Sequence, residues 1–196
     1  MSRALKSLAV FFAFVAIYTL SRYGHSTTTT TTSSTTTVAV TTTTTASNTG
    51  STTCAGSDFR GSFNQGQGAA GTVYASITLV KTTSGSCTIK GWPILTLQDR
   101  LGALLPSSTV DLPSANAPIQ FSDARANHAP GLVTLTDGST TTFSLAYSDV
   151  PTGATTCPSA QTVSVALTKG GSTVAVTAQY PPAPCNRGLI WVSPFY

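Results

Sequence analysis

From Thr72 to Lys81 every second residue is apolar: Val73, Ala75, Ile77 and Leu79 fall on one face. Successive side chains of a strand point to opposite sides of a sheet, so a period of two predicts a strand with one buried face. The pattern returns three times. Phe143, Leu145 and Tyr147 carry it in residues 140–150, Val163, Val165 and Leu167 in 161–168, and Val174 and Val176 in 172–178. Shorter apolar runs occupy residues 92–98, 132–136 and 188–193. Asp137-Gly138 and Lys169-Gly170-Gly171-Ser172 lie between successive runs and supply the turn chemistry of hairpins. No segment shows the 3.6-residue period of an amphipathic helix. Short strands at this spacing predict an all-β fold, an antiparallel β-sandwich of immunoglobulin-like architecture. One long stretch, residues 99–130 with Pro106, Pro113, Pro118 and Pro130, reads as an irregular loop, a binding edge or an insertion.

Charge agrees with this class. Only 8% of the residues are charged, against about 25% in an average soluble domain. All six acids are Asp, and the chain has no Glu. Exposed helix faces are built from Glu, Lys and Arg, so a helical bundle is excluded. The net charge of +4 is concentrated at one end, where Arg3, Lys6 and Arg22 flank an apolar run. From Cys54 onward seven Lys/Arg face six Asp, with no cationic cluster. A nucleic-acid groove needs clustered cations to displace phosphate counterions, so nucleic acid is not an expected partner.

The chain divides into three parts. Residues 1–25 have a cationic start followed by a run of about a dozen apolar residues, the pattern of a signal peptide or a signal anchor. The uncharged stretch 7–21 would cover roughly 22 Å as a helix, short of a ~30 Å hydrocarbon core, which favours a cleaved signal. The missing Ala-x-Ala site favours an uncleaved transmembrane anchor, with Lys6 and Arg22 snorkelling. Either reading sends the remainder out of the cytoplasm, membrane-anchored or secreted. Residues 26–53 contain 17 Thr and 5 Ser in 28 positions. Such a segment has almost nothing to bury and is expected to be a disordered, Thr-rich linker or O-glycosylated stalk. Residues 54–196 are long enough for one hydrophobic core and form the expected β-sandwich domain.

The four cysteines are Cys54, Cys87, Cys157 and Cys185. Their wide spacing is unlike the close pairs of zinc sites. In an oxidising compartment two disulfides are the default. Three connectivities are open, and pairing of neighbours along the chain, Cys54–Cys87 and Cys157–Cys185, is the expectation.

Several strings carry a resemblance. They are Gly68-Ala69-Ala70-Gly71-Thr72-Val73-Tyr74, Cys87-Thr88-Ile89-Lys90-Gly91-Trp92-Pro93, Leu97-Gln98-Asp99-Arg100-Leu101-Gly102, Asp137-Gly138-Ser139 and Cys157-Pro158, with Cys185 before a last strand. Across Cys54 to Tyr196 the chain resembles the domain of unknown function 4232 family of secreted proteins and lipoproteins of actinobacteria. The resemblance implies a disulfide-bonded β-sandwich outside the membrane and implies no catalytic residue. Two departures stand out. Many relatives have an Asn after the first long strand, where this chain has Val80-Lys81. Many also have a lipid-bearing cysteine directly after the signal, whereas the first cysteine here is Cys54.

Four patterns could carry chemistry. Gly66-Gln67-Gly68-Ala69-Ala70-Gly71 matches the dinucleotide fingerprint literally, but a strand follows it and residues 82–98 hold no acid, so it reads as a glycine-rich loop. A hydrolase could draw on His128 and Asp123, yet no Gly-x-Ser-x-Gly elbow raises a nucleophile. Asp111, Asn116, Asp123 and Asn127 offer hard oxygen ligands for calcium without EF-hand spacing. Among the aromatics Trp92, Trp191, Phe195 and Tyr196, Trp191 alternates with Ile190 and Val192 and is assigned to the core. Pro194-Phe195-Tyr196 is the better surface candidate for stacking, unless a final strand tucks it in. The expected function is a non-catalytic binding or structural module of the cell envelope, with no catalytic, cofactor-binding or metal residue and no cofactor. Its expected partner is an envelope polymer or another surface protein. The alternative is an extracytoplasmic hydrolase with an unrecognised site.

Overall fold

The computed structural model describes residues 52–114, 118–153 and 156–196. The signal or anchor expected at 1–25 and the linker up to residue 51 lie outside the described residues. Twelve strands and two 3-10 turns occur among them. The strands are β1 (Thr52–Thr53), β2 (Phe59–Ala69), β3 (Thr72–Lys81), β4 (Cys87–Lys90), β5 (Ile94–Gln98) and β6 (Leu104–Leu105), followed by β7 (Ser108–Asp111), β8 (Leu132–Leu135), β9 (Thr140–Ser148), β10 (Thr162–Ala166), β11 (Thr173–Thr177) and β12 (Leu189–Val192).

These form three sheets. The largest has the order β2-β3-β9-β12-β7, the second β11-β10-β5-β6, and the smallest β1-β4-β8. One continuous core joins all three: Ile77, Leu79 and Phe143 from the first sheet, Leu97, Val163, Val165 and Val176 from the second, and Ile89 and Leu135 from the third. Every residue that the period-two reading assigned to an inner face of β3, β9, β10 or β11 is buried. The chain is therefore the expected β-rich sandwich. Two short pairings depart from a purely antiparallel scheme, since β1 runs parallel to β4 and β7 parallel to β12. The first takes in Thr52 and Thr53, the last two residues of the expected linker, which pair with Cys87 and Thr88.

Strand β2 lies in sequence that reads as loop, because glycine and glutamine dilute its pattern. Its inner positions are Phe59, Gly61 and Phe63, and Gly61 sits where a Cβ would collide with the Val176 side chain of β11. The two sheet edges approach so closely there that only glycine fits. The fingerprint-like glycines fall at the end of β2 and in the β2–β3 hairpin. Ala70 and Gly71 form its two-residue loop with φ of 49° and 80°, the twist of a type I′ turn.

Asp137-Gly138 is a turn but closes no hairpin ladder. Ser139 N–H donates to Thr136 O at 3.0 Å, while the flanking strands join different sheets: β8 pairs with β4, and β9 with β3 and β12. The Lys169–Ser172 region does join a true hairpin, β10–β11.

Bridges link Cys54 to Cys87 and Cys157 to Cys185. Beside the first, Lys81 is buried, and its ammonium donates to the carbonyls of Thr83 and Ser84 and to the Thr83 hydroxyl. The Thr83 hydroxyl in turn donates to Asp58 Oδ1 at 3.1 Å, and Asp58 Oδ2 accepts from the Ala55 N–H at 2.9 Å.

Residues 99–130, expected to be irregular, hold β6, β7 and the 3-10 turn Ala124–Asn127. Their second half forms a strap over the outer face of the five-stranded sheet. Leu112, Ile119, Phe121 and Ala126 make a second small core with Ala146 of β9, flanked by half-buried Tyr74, Trp191 and Tyr196. The Trp92 indole N–H donates to Leu112 O at 2.6 Å and ties the strap to the β4–β5 connection. Asn127 holds Phe121 from both sides: its Oδ1 accepts from the Phe121 N–H at 2.9 Å and its Nδ2 donates to Phe121 O at 2.7 Å.

Candidate functional site

The strap covers only part of the outer sheet face. Beside it lies an open groove of about 870 Å³, floored by β2, β3 and β9 and walled by residues 120–123 and Tyr196. Its size falls within the range of small-ligand sites, about 300–1,000 Å³.

Strand alternation builds the floor. Between Tyr74 and Val80 on β3, and between Thr140 and Ala146 on β9, the residues that point away from the core are polar: Ser76, Thr78, Thr142 and Ser144. One register row runs Asn64, Ser76, Ser144 across three strands, and the next runs Ser62, Thr78, Thr142. Asn64 Nδ2 donates to Thr78 Oγ1 at 3.2 Å, and the hydroxyls of Thr78 and Thr142 share a bond of 3.2 Å. The hydroxyls of Ser144 and Tyr196 share one of 2.9 Å. On β2 the register slips between Gln65 and Gly68, where β2 has one residue more than β3. Gln65, Gly66 and Gln67 of this bulge all border the groove. Bulges recur beside sites because they re-aim side chains.

Aromatic rings form the apolar part of the wall. Tyr74 and Phe121 meet edge to face at 6.5 Å and 85°. The Arg125 guanidinium stands 4.8 Å over the Tyr196 ring and is paired with Asp123 at 2.7 Å. Asp123 borders the groove and is its one charged lining residue. The hydrogen bond from Arg125 holds its carboxyl below the ordinary value, and the same bond raises the Arg125 guanidinium. Burial pushes the Tyr196 phenol up, so it stays neutral well into the alkaline range.

The structure disperses the residues that the sequence singled out for chemistry. His128 is exposed at the end of the 3-10 turn Ala124–Asn127 and does not line the groove. Asp123 is committed to Arg125, and the Asn127 amide to the Phe121 backbone and Asp123 O. Asn116 lies outside the described residues. No group of three or more His, Cys, Asp or Glu side chains among the described residues could hold a metal ion. The aromatic assignment changes at two positions near the C-terminus, while Tyr196 keeps a half-exposed place on the groove wall. Phe195, the surface candidate, is 2% exposed and packs edge to face on Phe143 at 5.5 Å. Trp191, assigned to the core, is half-buried on the outer face against the strap.

Of the groove residues, sequence reasoning singled out Asp123, Tyr196 and part of the glycine-rich string and passed over the floor residues on β3 and β9. Their signal was the polar half of each alternating strand: where Ile77 and Phe143 mark the inner face, Ser76, Thr142 and Ser144 mark the outer one. That half is usually solvated surface, and only the strap turns it into a concavity.

No curated protein and no solved structure matches the chain. A family model described as a domain of unknown function (DUF4232) matches residues 54–196, and the chain belongs to that family.

Proposed function

We propose that the protein is a non-catalytic binding module of the cell envelope, working outside the cytoplasm and presented there by its N-terminal segment and Thr-rich linker. The observation that carries this reading is the groove on the outer face of the five-stranded sheet. Its floor is fixed by strand pairing, so the side chains that would meet a ligand are already in place, which reduces the ordering cost of binding. Two disulfides support an oxidising compartment. The rival reading, an extracytoplasmic hydrolase, draws its support from Asp123 at the groove edge. A carboxylate held below its usual range by a guanidinium is a poor general base near neutral pH.

The test is saturation binding of the oxidised full chain to isolated cell envelope, with a reduced and unfolded sample as control. The expected result is saturable binding that unfolding abolishes. Binding no better than the control would sink the envelope reading.

A further inference from the structure

We infer that the groove is a site for an uncharged glycan, a proposal that rests on the binding reading above and names its ligand class. Three properties of the lining point there together.

The first is unspent hydrogen-bonding capacity. Gln65, Gln67, Ser76, Gln120 and Ser122 border the groove, and among the described residues their side chains make no hydrogen bond to the protein. Amides and hydroxyls each present donors and acceptors together. The ligand that matches such a lining offers both on neighbouring atoms, as the vicinal hydroxyls of a sugar do. A peptide strand would instead seek unpaired backbone at a sheet edge, whereas the floor beneath Ser76 and Ser144 is the face of β3 and β9, each paired on both sides; of the three floor strands β2 alone is an edge strand.

The second is charge. Asp123 is the one charged lining residue, and Arg125 neutralises it from outside the groove. No cationic side chain is left in the described lining to hold a phosphate or a uronate, and no unpaired acidic side chain to hold an amine. Burying an unmatched charge there would be costly.

The third is the wall. Tyr74 and Tyr196 are half-buried and border the groove beside the polar floor. Aromatic rings give the C–H faces of a sugar an apolar surface while the rim hydroxyls are hydrogen-bonded. The register row Asn64, Ser76, Ser144 spans two interstrand spacings, roughly 10 Å, so the site has room for rings laid flat along it.

The test titrates the full chain with soluble neutral oligosaccharides (glucan, mannan, galactan and chitin series) and with a polyuronate of matched length. Binding is followed by calorimetry and by amide shifts at Ser76 and Thr142. At least one neutral series is expected to saturate and to move those amides. The double substitution Gln67→Ala/Gln120→Ala, at two exposed positions, is expected to weaken binding roughly tenfold, the loss of two modest hydrogen bonds. Lys169→Ala, far along the chain in the β10–β11 hairpin, serves as the control and should change nothing. Saturable envelope binding that neither neutral glycans nor the double substitution disturb would overturn the glycan site and leave the envelope reading standing. The reverse pattern, with oligosaccharide binding but none to envelope, would overturn the envelope reading alone. Preference for the polyuronate, or loss of envelope binding after protease treatment, would also overturn the uncharged-glycan assignment.

Discussion

The two faces of strands β3 and β9 are built by the same alternation and do opposite work. The inner face places Ile77, Leu79, Phe143 and Leu145 in a core shared by three sheets. The outer face carries Tyr74, Ser76, Thr78, Thr142, Ser144 and Ala146, and most of what shields it among the described residues comes from one strap, residues 112–114 and 118–127. Inner-face packing is contributed from both ends of the domain and can collapse little when an atom is removed. Outer-face packing depends on that one segment. The main core lies on the first face and the groove on the second, and the difference lies in what covers each.

That division is open to attack with a pair of phenylalanines. Phe143 is fully buried and touches Phe195. Phe143→Ala should cost about 3–5 kcal/mol, the range for deleting a core aromatic. Phe121, at 6% exposure, is nearly as buried but sits in the strap. Phe121→Ala should cost less, about 1–3 kcal/mol, because the strap can settle into the space. Denaturant unfolding of both variants measures the gap. Equal losses would mean that the strap belongs to the main core.

The same contrast explains what was legible beforehand. Inner faces announce themselves locally: Val73, Ala75, Ile77 and Leu79 are consecutive alternate residues, and burial follows from their period alone. The strap announces nothing. Leu112, Ile119, Phe121 and Ala126 have no common period, and they bury themselves only because Ala146 and Tyr74, far away in the chain, leave room for them. The same non-local cause misplaced the two ends of the last strand. Trp191 looked like core because its neighbours Ile190 and Val192 are, yet it takes the opposite face. Phe195 belonged to the surface candidate, and backbone pairing of Tyr196 with Thr142 draws it in. Strand β2 was hidden for a further reason, since Gly61 replaces an apolar residue exactly where Val176 fills the space. The groove needed all of these at once, because its floor, its bulge and its wall come from β2, β3, β9, the strap and the C-terminus.

A finer cut separates the strap's anchor from its apolar contacts. Asn127 pairs with both backbone groups of Phe121. Asn127→Ala should release them and cost about 1–2 kcal/mol. Hydrogen exchange should accelerate at the Phe121 amide while the Phe143 amide stays protected, since local opening need not involve the core. Parallel acceleration at both would show that the two faces open together.

The smallest effect expected is electrostatic and is confined to the outer face. Asp123 accepts from the Arg125 backbone N–H at 2.9 Å and from its guanidinium at 2.7 Å, which caps the 3-10 turn Ala124–Asn127 and lowers the carboxyl below 3.8. A lowered carboxyl stabilises the folded strap fully above its ordinary value, and that contribution is lost as pH falls through the lowered one. Acidification below 3.8 should therefore loosen the strap before it reaches the main core, whose clustered residues carry no acid. An NMR titration should place the Asp123 midpoint below 3.8, with coupled shifts at Arg125 and Tyr196 and none at Ile77 or Val165. Asp123→Asn should remove that step. The pair is exposed, so the change in global stability should be slight. A large acid-induced loss that disappears in Asp123→Asn would mean that the ion pair holds more of the molecule than the strap.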